Sequence, residues 1–367
     1  MELDIARLRL LSQRIMGEKF ESPEGVVRWM GAMQAQDYLQ ALWAIGLRMQ
    51  NATVATIEQA IVERKILRTW PMRGTLHFVP SEDAKWMVNL SAARMLASTA
   101  HRRRQLELDE ATIERTGILF YDALKGGKCL SRPTLMQLLE DKGISTSGQR
   151  GYHLLFHQSL TGQLCLGPLE GKQQTFTLLD EWVPQPRELS RTEALAEMTR
   201  RYFTSHGPAT LQDFTRWTGL TVADAKIGLE TVRSELVAET IAGQQYWMAP
   251  DLATLQPQTE PGIYLLPGFD EYLLGYKDRE AVLAAEHADK IVPGNNGIFL
   301  PTLVVAGTVV GTWRRKLGKR SVEVTLQHFT QHNASKEAVI EASRRYSNFV
   351  GLSLSSAIIK ASTDEAL

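Results

Sequence analysis

The stretch Leu67-Arg-Thr-Trp-Pro-Met-Arg-Gly-Thr-Leu-His-Phe-Val79 breaks the helical period of everything before it. It is rich in β-formers and contains Gly74, so it predicts a short hairpin. Ahead of it, Asp4 to Met16 carries Ile5, Leu8, Leu10, Leu11 and Ile15 at near-helical spacing. Ser22-Pro23-Glu24 supplies a cap and a first-position proline for a second helix through Val27, Trp29 and Met30. Further helical patterns cover Tyr38 to Arg48 and Thr56 to Ile66. Helices followed by a small hairpin make a winged helix.

The same order returns twice, without residue-level repetition. Ala111 to Ala123, a helix opened by Ser131-Arg132-Pro133, and Gly148 to Gln158 precede strands at Leu164-Cys-Leu-Gly and Thr175 to Leu179. Arg191 to Ser205, Thr210 to Thr218 and Val222 to Ser234 precede strands at Leu236 to Ile241 and Gln245 to Ala249. A proline-rich stretch, Pro250 to Pro261, then leads to a tail of strands: Gly262 to Leu266, Ile298 to Val305, Val309 to Arg315 and Val322 to Leu326. A turn at Ala306-Gly307 and a helix over Lys336 to Val350 complete it. The expected fold is mainly α with small β-hairpins, an α+β chain. It comprises three tandem winged-helix modules (1–85, 86–185 and 186–255) and a β-rich C-terminal domain over 256–367.

The 367 residues suffice for several modules with a sizeable core. Forty-one basic residues offset forty-one acidic ones, so net charge points to no polyanionic partner, although a basic face can hide in such a sum. The N-terminus has no signal-peptide pattern, and Gly297 to Gly311 is too short and interrupted to span a bilayer. Cys129 and Cys165 lack motif spacing, which argues against a Cys-based zinc site and a disulfide framework. The expectation is a cytoplasmic, monomeric protein without metal or nucleotide cofactor.

Three runs, in order, carry a family resemblance. They are Gly31-Ala-Met-Gln34-Ala-Gln36-Asp37, Arg68-Thr-Trp-Pro-Met-Arg73-Gly-Thr-Leu-His77, and Leu265-Leu-Pro-Gly-Phe-Asp270-Glu271-Tyr272-Leu-Leu-Gly-Tyr-Lys-Asp278-Arg279, the last followed by Gly307-Thr-Val-Val-Gly-Thr-Trp313-Arg314. Together they resemble the AlkZ-like winged-helix DNA glycosylases, across essentially the whole chain. The resemblance implies three winged-helix modules scaffolding a concave DNA-binding face, with a Gln-apolar-Gln motif in the cleft. Gln34-Ala35-Gln36 matches that motif; a second branch of the family ends it in Asp. Members remove N-alkylated purines from duplex DNA, and some unhook interstrand crosslinks.

Two glutamines suit such chemistry. An N7- or N3-alkylated purine is already cationic and needs little general-acid help, so the task is to place a water beside the anomeric carbon. An amide offers an acceptor and two donors for that. On a helix, residues i and i+2 point about 200° apart, but on extended backbone they emerge on one side. The spacing therefore predicts an extended or irregular link at Gln34-Ala35-Gln36, with Asp37 capping the next helix. A bare helix connection has the same spacing; the resemblance favours catalysis.

Arg73, Thr75 and His77 alternate on the first hairpin and could face DNA together, or else form a strand face that only meets solvent. Arg314-Arg315-Lys316 with Lys319-Arg320 is the densest basic run and suits phosphate contacts, or else a solvated loop. Arg102-Arg103-Arg104 suits the end of a helix. Asp270-Glu271 invites an acid/base reading, but a structural pairing with Arg279 or backbone donors is preferred. His153 and His157 share a helix face without a third metal ligand. No lysine accompanies the glutamines, so no strand-cleaving activity is expected. The competing readings are a DNA-binding regulator or lesion sensor and a protein-interaction scaffold.

Overall fold

A computed structural model describes residues 3–254, 262–329 and 335–360. The fold mixes helices and strands, and the chain divides into two compact units: Met1–Ile57 with Ala196–Leu367, and Glu58–Leu195.

The second unit is built around the Leu67–Val79 stretch. Ile66–Met72 pairs antiparallel with Thr75–Pro80 across a two-residue turn, Arg73-Gly74. Both turn residues have positive φ, 54° and 70°, the geometry whose twist matches the flanking strands and for which glycine is suited. The same solution recurs at Ala242-Gly243 and Ala306-Gly307 in the other unit. Ile66–Met72 also pairs with Leu164–Leu166, which continues through Thr175–Leu178 to Leu130–Ser131. The first two hairpins foreseen from sequence are thus parts of one sheet. Trp70, Leu76, Phe120, Leu135, Leu154 and Phe176 belong to one core cluster beside it. A 22-residue helix, Ala84–Gln105, ends in Arg102, Arg103 and Arg104 in its last turn, where their charge opposes the helix dipole.

The first unit holds the third helical run, Arg191–His206 (which begins in the other unit), Leu211–Thr218 and Val222–Val232, and its hairpin Val237–Ile241 with Gln244–Met248. Its sheet has five strands in the order Ser353–Lys360, Ser321–His328, Thr308–Leu317, Thr302–Val305, Ile263–Leu266. All pairs are antiparallel except the first, whose two strands are parallel and joined through the Lys336–Phe349 helix. A parallel pair needs such a crossover. The Ser353–Lys360 strand has no counterpart in the sequence-based expectation. Two indoles bond to the edge strand Ile263–Leu266: Trp43, from the Tyr38–Gly46 helix, donates to Leu265 O and Trp313, from the Thr308–Leu317 strand, to Leu266 O, each at 2.7 Å. Both rings also pack against Tyr346 of the crossover helix.

Element boundaries differ from expectation in several places; the helix expected over Thr56 to Ile66, for one, is Val54–Val62, and Ile66 opens the next strand. The first helix is Ile5–Ser12, not Asp4 to Met16, because Arg14 and Gly17 take positive φ and turn the chain. The strand expected from Ile298 begins at Thr302. Among the described residues no helix is long and apolar enough to cross a membrane.

Candidate active site

Gln34 lies on a two-residue strand, Met33–Gln34, and Gln36 in the bend that follows. Asp37 then caps the Tyr38–Gly46 helix, its carboxylate accepting from the Gln40 N–H at 3.2 Å. The segment is a non-helical link, extended at Gln34 and bent at Gln36. Ala35 is buried, Gln34 half-buried and Gln36 exposed. The Gln34 amide oxygen Oε1 is enclosed and meets no protein donor. An enclosed acceptor left so costs on the order of 1–3 kcal/mol unless something reaches it.

A buried carboxylate fixes this segment. Glu271 Oε1 accepts the Gln34 backbone N–H at 2.9 Å, and its Oε2 accepts the Trp217 indole N–H at 2.8 Å. Glu271 is 1% exposed and Asp270 3%, so neither is a free acid or base facing solvent. Asp270 caps the Glu271–Leu274 helical turn through the Tyr272 N–H and forms a two-pronged ion pair with Arg48, 2.9 Å on each prong. The structural role expected for Asp270-Glu271 stands, as do the backbone donors expected for it, the Tyr272 and Gln34 N–H groups, but the arginine partner is corrected. It is Arg48, from the end of an apolar helix, and not Arg279, whose Nε donates to Leu273 O at 2.7 Å.

Sequence reasoning also passed over the aromatic bed beneath. His206 is fully buried, stacked on Tyr202 with centroids 4.7 Å apart, and its Nε2 lies 3.9 Å from Glu271 Oε2. Tyr276 donates to His206 O at 2.7 Å and accepts from Gln13 Nε2, which also reaches Glu271 O. Burial holds the His206 imidazole below its usual pKa even though Glu271 pulls the other way. The unfolded chain therefore takes up this proton first as pH falls. The stability from neutral His206 is present above about pH 6.5 and lost as pH drops through the lower folded value. We expect Tm to fall from pH 7.5 to 5.5, with His206→Gln flattening the slope in part, since His153 and His157 are lowered too. A wild-type Tm constant over that range would refute it.

The remaining sequence candidates separate. Arg73 is half-buried at its turn, while His77 is fully buried, its Nδ1 2.9 Å from Thr75 O. The three-residue polar face expected on that hairpin is corrected accordingly: a strand face enclosed by tertiary packing does not present an imidazole to solvent. Arg314, Arg315 and Lys316 run along the end of the Thr308–Leu317 strand, and Lys319 and Arg320 sit at its exposed turn; all but the half-buried Arg315 are exposed. His153 and His157 are half-buried on one helix, and among the described residues no three His, Cys, Asp or Glu come together as metal ligands. Lys19 is pushed down to about 6 by burial and by the charges of Arg345, Arg48 and Arg14. Its Nζ nevertheless donates to three carbonyls, those of Arg14, Ile15 and Leu47, which ties it to the end of the Tyr38–Gly46 helix.

The chain that carries this Gln-Ala-Gln segment, clamped by a buried carboxylate, belongs to a family of DNA glycosylases. The chain is a member of the AlkZ-like DNA glycosylases, whose family model matches residues 27–349. It is 31% identical over 319 residues to the interstrand DNA cross-link repair glycosylase of Streptomyces sahachiroi, covering 80% of this chain and 82% of that one. Its fold is similar to that of Streptomyces sahachiroi DNA glycosylase AlkZ, with a TM-score of 0.82 at 23% identity over 98% of this chain and 100% of the other.

Proposed function

We propose that this protein is a monofunctional glycosylase that hydrolyses the N-glycosidic bond of N7- and N3-alkylated purines in duplex DNA, including interstrand crosslinks built on such purines. The observation that carries the mechanism is a half-buried Gln34 two residues before an exposed Gln36, on a segment whose backbone the Glu271 carboxylate holds. In this reading the Gln34 amide, enclosed in the DNA-free protein, turns its oxygen toward the bound sugar to accept a hydrogen bond from water, and Gln36 orients the same molecule. The C–N bond breaks with its electron pair moving onto the cationic purine, which leaves neutral. The water oxygen bonds to the anomeric carbon, and its surplus proton passes to solvent. Neither amide needs to become charged, and as neutral groups they do not oppose the developing sugar cation; such preorganisation is a large part of catalysis.

The helix–hairpin runs fit winged-helix modules, and the name of the Streptomyces relative supports the crosslink reading. The basic hairpin turn at Arg314, Arg315, Lys316, Lys319 and Arg320 suits phosphate contact, as does Arg73. We place the enzyme in the cytoplasm as a monomer, leaving an abasic site without cutting the strand. Incubation with methylated and crosslinked oligonucleotides tests this. Free 7-methylguanine and an alkali-labile, uncut strand are expected. Intact bases, with tight preference for one short sequence across unrelated duplexes, would favour a regulator instead.

A further inference from the structure

A cavity of about 780 Å³ lies wholly within the unit that carries the glutamines. Six charged side chains line it: Arg216, Lys277 and Arg279 against Asp278, Glu280 and Asp289. Among these described residues no cation comes within 4.0 Å of a carboxylate to form an ion pair. Asp289 accepts the Gly294 N–H and Asp278 the Glu280 N–H, both at short range, while Lys277 reaches Gln212 at 3.0 Å. Arg216 has no hydrogen-bond or ion-pair partner among the described residues.

Arg279 is the unusual member. It is half-buried, yet of its five N–H donors only Nε has an acceptor among the described residues, the Leu273 carbonyl. Its guanidinium carbon stands 4.9 Å over the Phe299 ring, which holds it in place. Burial and then the neighbouring Arg216 charge lower its pKa, with Asp213 and Asp278 opposing from beyond ion-pair distance. Two guanidiniums line one space, one of them partly desolvated and with neither terminal nitrogen bonded to a described residue, and the three carboxylates of the same lining form no ion pair with them; their planar forks are left available to an anion.

The cavity is wired to the glutamine segment from both sides. Arg216 directly precedes Trp217, whose indole holds Glu271, and Glu271 holds Gln34. On the other side Phe299 packs against Phe269, centroids 6.3 Å apart. Phe269 carries a φ of 61°, uncommon for a bulky residue, and sits between Gly268, held by Gln40, and Asp270. Strain of that kind persists where the surroundings fix a position that matters.

We propose that Arg216 and Arg279 form a clamp for a single backbone phosphate of the DNA strand that enters the glutamine site. This rests on the glycosylase reading, because the phosphodiester is the anion such a substrate brings. Two guanidiniums converging on one phosphate neutralise one charge, so they release the counterions of one contact.

The test measures duplex affinity against salt for wild type, Arg216→Ala and Arg216→Ala/Arg279→Gln. One shared phosphate predicts that the slope of log K against log salt falls by about 0.9 in the double variant, not the roughly 1.8 of two separate contacts. A scan of single methylphosphonate linkages should find one position that weakens wild type and leaves the double variant unaffected. Unchanged slopes with no such linkage would overturn the proposal. So would a drop in affinity for inorganic phosphate, titrated at constant ionic strength, with the DNA slope unmoved, since the anion would then be free phosphate. If Arg279→Gln does not fold, exposed Arg216→Ala is scored in the linkage scan: it should weaken duplex binding and shrink the penalty of the one sensitive methylphosphonate, and an undiminished penalty would overturn the proposal. Base release by the wild type reports separately on the chemistry: its absence beside an altered slope would remove the glycosylase reading and keep the phosphate site.

Discussion

Gln34→Ala should slow release of 7-methylguanine from methylated duplex DNA by on the order of 10²- to 10³-fold, the cost of deleting one preorganised polar group at a reacting centre. Gln36→Ala should lose a comparable factor, and the double variant little more, because the two amides are assigned to one water and act as a unit. Affinity for undamaged duplex should stay within about threefold, since neither neutral amide contributes to counterion release. The fold should be spared as well. The contact that fixes the segment runs from the Gln34 backbone N–H to Glu271, and alanine keeps that N–H. Single-turnover base release with excess enzyme, alongside fluorescence anisotropy on plain duplex, separates these effects. Base release at the wild-type rate in both single variants would abolish the assigned mechanism. A large loss of duplex affinity in either would turn the glutamines into DNA contacts.

The parts of this site visible in sequence are those set by local rules. The non-helical Gln-Ala-Gln link follows from the 3.6-residue helical period, and the Asp37 cap from its place before an apolar run. The hairpin turns follow from a residue–glycine pair between β-forming stretches, as at Arg73-Gly74. What stayed hidden is long-range. Arg48 and Asp270 stand 222 residues apart, so the pairing guessed for Asp270 fell on Arg279, nine positions away, which composition made equally plausible. One signal for Arg48 existed. It ends the run Ala41-Leu-Trp-Ala-Ile-Gly-Leu-Arg48, and an arginine that continues a buried apolar helix needs an acid from elsewhere. His77 misled for the opposite reason. Alternation on a strand assigns residues to faces, but which face is covered depends on the rest of the fold. The Ala84–Gln105 helix shows almost no one-sided apolar pattern, and the Ser353–Lys360 strand pairs only through a crossover. Neither leaves a mark in local periodicity.

Arg48→Met should be the most destabilising single substitution in this network. All five guanidinium N–H groups are used: Nε to Gln13 O, Nη1 to Ala44 O and Asp270 Oδ2, Nη2 to Gln13 Oε1 and Asp270 Oδ1, between 2.8 and 3.0 Å. The side chain is wholly buried. Removing it strands the Asp270 carboxylate in the interior, and breaking a buried pair in this way costs about 3–5 kcal/mol. Replacing both partners, as in Arg48→Met/Asp270→Asn, removes the stranded charge while Asn keeps an acceptor for the Tyr272 N–H. The double variant should therefore be more stable than Arg48→Met alone, a coupling that additive losses cannot produce. Denaturant unfolding of the wild type, both single variants and the double variant measures it. The prediction fails if the double variant is less stable than Arg48→Met. Activity reads the next link. Asp270 opens the helical turn that begins with Glu271, and Glu271 sets the Gln34 backbone, so loosening the ion pair should lower base release even where the protein remains folded. In the double variant base release should recover with stability, because the ion pair acts on the chemistry only through the position of Gln34.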